Sequence, residues 1–195
     1  MPLKEVPVNL LRSAKGFLLA RRSDAEMCLL SMIGFLPVHR GRVAVLRALG
    51  AQIDPEAVVY GRFQVRSPKG LVIGRRANIG DRAILDARGG LTIGANANLS
   101  TAVEIWTAQH DWNSPDFRYV RKPVIINDRA WLGPRVTVLP GAVIGEGVVV
   151  AAGAVVSGEL EPFGLYGGVP ARRIADRDPA LTYELPSPQG KTWWW

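Results

Sequence analysis

Residues 71–105 read Leu-Val-Ile-Gly-Arg-Arg-Ala-Asn-Ile-Gly-Asp-Arg-Ala-Ile-Leu-Asp-Ala-Arg-Gly-Gly-Leu-Thr-Ile-Gly-Ala-Asn-Ala-Asn-Leu-Ser-Thr-Ala-Val-Glu-Ile. An aliphatic residue returns every six positions: Ile73, Ile79, Leu85 and then, after a skip of two, Ile93, Leu99, Ile105. The same beat runs back through Ile53, Val59 and Val65. Beyond an interruption it runs forward through Ile126, Leu132, Val138, Ile144, Val150 and Val156. All fifteen leading residues are Ile, Leu or Val. Gly follows the leader at Gly74, Gly80, Gly94, Gly133 and Gly145. Ala stands four places after it at Ala57, Ala77, Ala83, Ala97, Ala130, Ala142 and Ala154.

A period of six is not a multiple of the helical 3.6, and alternating strands alone do not require Gly and Ala at fixed offsets. A three-sided coil does, with one short strand per face, a large aliphatic residue pointing inward and a small residue near each corner. Three hexads make one coil and five coils are expected, stacked by parallel strand pairing at about 4.8 Å each. The repeat resembles that of the hexapeptide-repeat, left-handed β-helix acyltransferases. The resemblance covers residues 51 to about 176, and the left hand of the coil comes from it.

The flanks read differently. Apolar clusters alternate with Lys and Arg over residues 10–50, so residues 1–50 are expected to form short helices, with Pro37 and Gly41 as breaks. Residues 177–195, with three Pro and a terminal Trp193-Trp194-Trp195, are expected to be irregular, either mobile or a strap on a neighbouring subunit. The 195 residues suit one compact domain, and 48% apolar against 21% charged excludes a disordered chain. The run Met27–Val38 is too short to cross a bilayer, and no leader-like segment opens the chain, so a soluble, cytoplasmic protein is expected. A single Cys28 and two histidines leave no cysteine-based zinc cluster.

The net charge is +7, of which residues 1–50 carry eight basic side chains against three acidic, or +5. Excess cations suit solubility, nucleic acid, an anionic membrane or a phosphorylated small molecule. Nucleic acid is disfavoured, because the basic residues sit on an apolar segment without interleaved aromatic residues. An amphipathic, basic segment resting on an anionic inner leaflet is the sharper reading, and packing on the solenoid the plainer one.

Between Ile105 and Ile126 the beat is interrupted, so a loop near 107–125 is extruded from a rigid coil. Long loops on rigid scaffolds are usually functional or disordered. His110 stands at its root, and histidine is the side chain suited to moving a proton near neutral pH. The resemblance implies the same: a His in a Ser-His-Asp-like context, here Thr107-Ala108-Gln109-His110-Asp111, is the base that takes the proton of an acceptor hydroxyl attacking acetyl-CoA. Asp111 either orients the imidazole or caps the loop. Trp106 and Trp112 either stack on a sugar or pack beneath the loop. Asp81 and Asp86, on the preceding coils, either bind sugar hydroxyls or pair with Arg82 and Arg88.

Two further motifs carry the resemblance. Ile126-Asn127-Asp128-Arg129-Ala130-Trp131-Leu132-Gly133 is similar to the Trp-Ile-Gly hexad, which implies Trp131 and Gly133 beside the cofactor arm, with Pro134 a departure. Leu165-Tyr166-Gly167-Gly168-Val169-Pro170-Ala171-Arg172 resembles the closing segment that meets CoA, which implies Gly168 and Arg172 near the cofactor, Arg172 at its phosphates. Ala152, Gly153 and Ser157 match the small residues of the pantetheine groove, positions that any coil corner also requires. A metal is not implied, and a γ-type carbonic anhydrase is excluded because it needs three zinc histidines. The sugar-nucleotide pyrophosphorylases carry a large nucleotide-binding domain that this chain lacks. The resemblance is greatest to the colanic-acid-type polysaccharide O-acetyltransferases. It implies a homotrimer that acetylates a sugar or lipid-linked sugar. Maltose, galactoside, serine or antibiotic acceptors, and a non-catalytic scaffold, are the alternatives.

Overall fold

The computed structural model describes residues 27–188, and in them the six-residue beat becomes a left-handed parallel β-helix. The first face stacks Gln52–Ile53, Leu71–Ile73, Leu91–Ile93, Val124–Ile126, Val143–Ile144 and Glu159–Leu160. The second stacks Val58–Val59, Asn78–Ile79, Asn98–Leu99, Trp131–Leu132, Val149–Val150 and Gly164–Gly167. It is closed by an antiparallel strand, Arg172–Asp176. The third stacks Gln64–Arg66, Ile84–Asp86, Glu104–Ile105, Thr137–Val138 and Val155–Val156. Five complete coils result, and Glu159–Leu160 with Gly164–Gly167 begin a sixth. The hexad count misses that coil because Leu160, not residue 162, takes the inward position.

Leader stacks on leader: Ile53 pairs with Ile73, Ile73 with Ile93, Ile93 with Ile126 and Ile126 with Ile144. All fifteen leaders are buried, each worth about 1.5–3 kcal/mol relative to exposure. The seven alanines are buried with them, where a larger side chain would collide inside the coil. Coil spacing also dictates glycine: a Cβ on Gly80 would stand 2.5 Å from the carbonyl carbon of Ser100 on the next coil.

The open edge of the first coil is covered by helix α1 (His39–Ala48). A bare edge leaves strand N–H and C=O groups unpaired, and three side chains of α1 answer them. The Val59 N–H donates to His39 Nε2 at 3.1 Å, Arg42 Nη2 donates to the Val59 carbonyl at 3.0 Å, and Arg47 donates twice to the Ile53 carbonyl. Arg42 is fully buried and also donates to the Leu36 carbonyl; burial pushes its pKa down. Gly41, expected as a break, lies inside α1, because this anchorage outweighs the roughly 1 kcal/mol cost of a helical glycine. Pro37 does lie in the break between helical residues 27–33 and α1. The helices expected before residue 27, and Trp193–Trp195, lie outside the described residues.

The tail over residues 177–188 has no strand or helix, and it runs back down the corner between the first and second faces of its own chain. Arg177 donates to the carbonyls of Gly147 and Arg129, the Tyr183 hydroxyl to that of Arg129, and the Leu185 N–H to Asn96 Oδ1. Glu184 is held by Arg75 and Arg76, which also hold Glu56. The strap therefore crosses coil after coil of its own solenoid.

Candidate active site

The interruption is an antiparallel hairpin of Ala108–His110 with Tyr119–Arg121, in which His110 opposes Tyr119 and Ala108 opposes Arg121. It leaves the solenoid at the corner between the third and first faces. Its root is pinned by Asp86, whose carboxylate is fully buried and accepts from the Arg88 guanidinium, the Arg88 N–H and the Thr107 N–H. The Thr107 hydroxyl in turn accepts from the Gly89 N–H. Burial alone would push the Asp86 carboxyl up, but the Arg88 side chain and the two backbone donors outweigh it and hold it below the usual carboxylate range. Asp86 is thus corrected from a sugar ligand to an anchor: its oxygens are sealed from solvent and already engaged.

His110 itself is exposed. Its Nδ1 lies 2.6 Å from the Phe117 carbonyl, and a carbonyl only accepts, so Nδ1 donates to it, while Nε2 has no hydrogen-bond partner among the described residues. The ring stacks on Phe117 at 4.4 Å with an interplanar angle of 3°, and meets the edge of Tyr119 at 5.6 Å. Phe117 adopts φ 48°, a left-handed conformation uncommon for a bulky residue and found at over-determined sites. Asp111 does not touch the imidazole. It accepts from the Asn113 N–H and from Arg118, so it caps the loop. The orienting group that the sequence reading missed is the Phe117 carbonyl, a backbone atom with no sequence signature.

Trp106 is half-buried beneath the Arg66 guanidinium, 5.0 Å from its centroid, and its Nε1 donates to Glu104. Trp112 is 84% exposed on the hairpin.

The other candidate residues gather elsewhere. At the corner between the second and third faces, the lower coils form a groove of about 570 Å³ lined by Tyr60, Arg62, Asn78, Asp81, Asn98 and Thr101, among others. Asp81 accepts from the Thr101 hydroxyl and from Arg82, which hold its carboxyl below the ordinary range. Asn78 Nδ2 donates to Asn98 Oδ1 at 2.7 Å. These pairs are twenty residues apart, one coil, so the coil length itself marks them as stacked neighbours. Directly above, Trp131 is half exposed and donates to Ser100 at 3.2 Å.

Gly133, Ala152, Gly153 and Gly168 continue this line up the same corner. Gly133 has a packing duty: a Cβ there would stand 2.8 Å from the Ala152 nitrogen. Gly153, at φ 71°, faces open space, and Ala152 and Gly168 are exposed, which leaves room for a slender arm such as pantetheine. The Arg172 side chain donates through Nη1 to the Ala171 carbonyl and has no carboxylate partner among the described residues, which fits a phosphate. Ser157 stands apart, at the end of the third face. One chain therefore carries the imidazole and the small-residue line on different corners.

A family model described as bacterial transferase hexapeptide (six repeats) matches residues 123–158. WcaF of Escherichia coli K12, a proposed colanic acid biosynthesis acetyltransferase, is 34% identical over 140 residues, covering 72% of this chain and 77% of WcaF. A hexapeptide-repeat acetyltransferase of Vibrio cholerae superposes with a TM-score of 0.74 at 26% identity, over 79% of this chain and 90% of its own. The complex of that protein with acetyl-CoA gives 0.65 at 25% identity, over 79% and 86%. A maltose O-acetyltransferase of Clostridium difficile gives 0.69 at 27%, over 83% and 89%.

Proposed function

The chain belongs to the hexapeptide-repeat acetyltransferases, and on that premise we propose that it moves the acetyl group of acetyl-CoA to a sugar hydroxyl in bacterial surface-glycan assembly. The observation that carries the reading is the His110 Nε2, without a hydrogen-bond partner among the described residues, on a ring fixed by the Phe117 carbonyl behind it. A hydroxyl is a weak nucleophile until it loses its proton. Nε2 takes that proton as the hydroxyl oxygen attacks the thioester carbonyl; the C–O bond forms, the C–S bond breaks, and the proton passes to the departing thiolate of CoA. A base so placed contributes roughly 10²–10⁴-fold.

The likeness to WcaF supports a polysaccharide acceptor, and the amide and carboxylate groups of the corner groove suit sugar hydroxyls. The acetyl-CoA complex of the V. cholerae relative supports the donor. Trp131, Gly133, Ala152, Gly153, Gly168 and Arg172 of one chain, with Ser157 of a neighbouring copy, are proposed to hold that donor, and Asp81 and Trp106 to meet the acceptor. With imidazole and donor line on different corners, a neighbouring copy completes each site, as in a homotrimer.

No helix among the described residues is long and apolar enough to cross a membrane. A cytoplasmic enzyme resting on the inner leaflet through residues 1–50 is supported by their basic residues other than Arg42 and Arg47 and by exposed Met32, Phe35 and Leu36. Sedimentation with anionic vesicles, lost on removal of residues 1–30, tests this.

The acceptor is tested by CoA release from acetyl-CoA against sugars, sugar nucleotides, serine and chloramphenicol. Release with sugars or sugar nucleotides is the expected result. Release with serine or chloramphenicol alone would reassign the acceptor, and none with any would favour a scaffold.

A further inference from the structure

We propose that Arg121 selects an acceptor bearing a carboxylate or phosphate about one sugar ring from the hydroxyl that is acetylated. The proposal rests on His110 as the base.

In an antiparallel pair, directly opposed residues and residues two apart on one strand point to the same side. His110 opposes Tyr119 and Ala108 opposes Arg121, so the imidazole and the Arg121 side chain emerge from the same face of the hairpin. They are diagonal neighbours across its two strands, about 7–8 Å apart. Side-chain contacts agree with this placement. The imidazole meets Tyr119 at 5.6 Å, the Arg88 guanidinium lies 5.7 Å from the centroid of the same Tyr119 ring, and Arg121 Nη1 approaches the Arg88 carbonyl at 3.4 Å.

Arg88 and Arg118 beside it are each engaged by a carboxylate and Arg121 is not. Arg88 is neutralised by buried Asp86, and Arg118, on the same strand region, by Asp111. Arg121 is exposed, makes that single long contact to a carbonyl, and has no carboxylate partner among the described residues. An unpaired guanidinium beside a base is a fork for a planar or tetrahedral oxyanion.

Acetyl-CoA cannot supply that anion. Its phosphates lie a pantetheine arm away from the thioester, whereas Arg121 shares a face of the hairpin with the imidazole, one diagonal position from it. The anion must therefore travel with the acceptor, as a uronate carboxylate or as a phosphate on the sugar. The two share one recognition chemistry, and the choice of probe separates them.

The test is acetyl transfer from acetyl-CoA by the full chain to a matched set: glucose, glucuronate and glucose 6-phosphate. Glucuronate, glucose 6-phosphate or both are expected to exceed glucose in kcat/KM by about tenfold or more. In Arg121→Gln that ratio falls towards one, and Arg121→Lys recovers part of it. The member that wins tells carboxylate from phosphate. Glucose used as well as the anionic sugars, an unchanged ratio in Arg121→Gln, or no transfer to either anionic sugar would overturn the proposal. His110→Ala, run alongside, keeps the two readings apart. An active His110→Ala sinks the base, whereas an inactive one with an unchanged Arg121→Gln ratio sinks only the anion.

Discussion

Asp86 carries the hairpin more than it faces any substrate. Replacing it with Ala leaves the Arg88 guanidinium and the Thr107 N–H without their acceptor, a loss of about 3 kcal/mol for a broken buried pair. The sign with pH follows from its pKa, which is lowered in the folded protein. Its contribution is complete above the unfolded carboxylate value of about 3.9 and is lost as pH falls through the lower folded value. Denaturant titrations of wild type and Asp86→Ala are therefore expected to differ most near neutrality and to converge in strong acid. A gap that persists unchanged into acid would show that the ionised carboxylate is not what matters. The Asp86–Arg88 pairing is one of two readings open in the sequence, since Arg88 follows Asp86 by two residues in the turn that ends its strand. That Thr107 completes it depends on two coils being stacked, which only register reveals.

At the scale of elements, the strands were legible because each hexad states its own inward residue, and the fifteen leaders are all buried. The hairpin was legible as an interruption but not as paired strands: Tyr119-Val120-Arg121 lacks the alternation that marks a half-buried strand, because it packs on one neighbour only. Helix α1 was legible as helical, while its purpose was not. Arg42 counts in the sequence only toward the basic surplus of residues 1–50, yet it and His39 pair the Val59 edge that no further coil covers. Arg42→Ala is expected to leave the Val59 and Leu36 carbonyls buried without donors. At about 1–3 kcal/mol for such a loss and about 2–4 °C per kcal/mol in a chain of this size, the melting temperature falls by roughly 2–12 °C. Calorimetry showing no shift would mean that the edge does not need the guanidinium.

At the scale of the molecule, the cationic surplus resolves into duties. Arg42 and Arg47 cap strand edges, Arg75 and Arg76 clamp Glu56 and Glu184, and Arg177 ties the tail to two coils. Arg172 and Arg121 have no carboxylate partner among the described residues, and they lie at the two halves of the proposed site. Those halves occupy different corners of one chain, an arrangement a linear motif search does not expose, because corner identity is a property of coil phase. Completion of the site by a neighbour predicts a mass near three times 21.2 kDa by light scattering. A monomer with full acetyl transfer would contradict the shared site.

His110 Nε2 is proposed to take the proton of the acceptor hydroxyl. CoA release from acetyl-CoA by His110→Ala, at an unchanged melting temperature and mass, checks this. Turnover is expected to fall by roughly 10²–10⁴-fold; turnover equal to wild type would remove His110 from the chemistry.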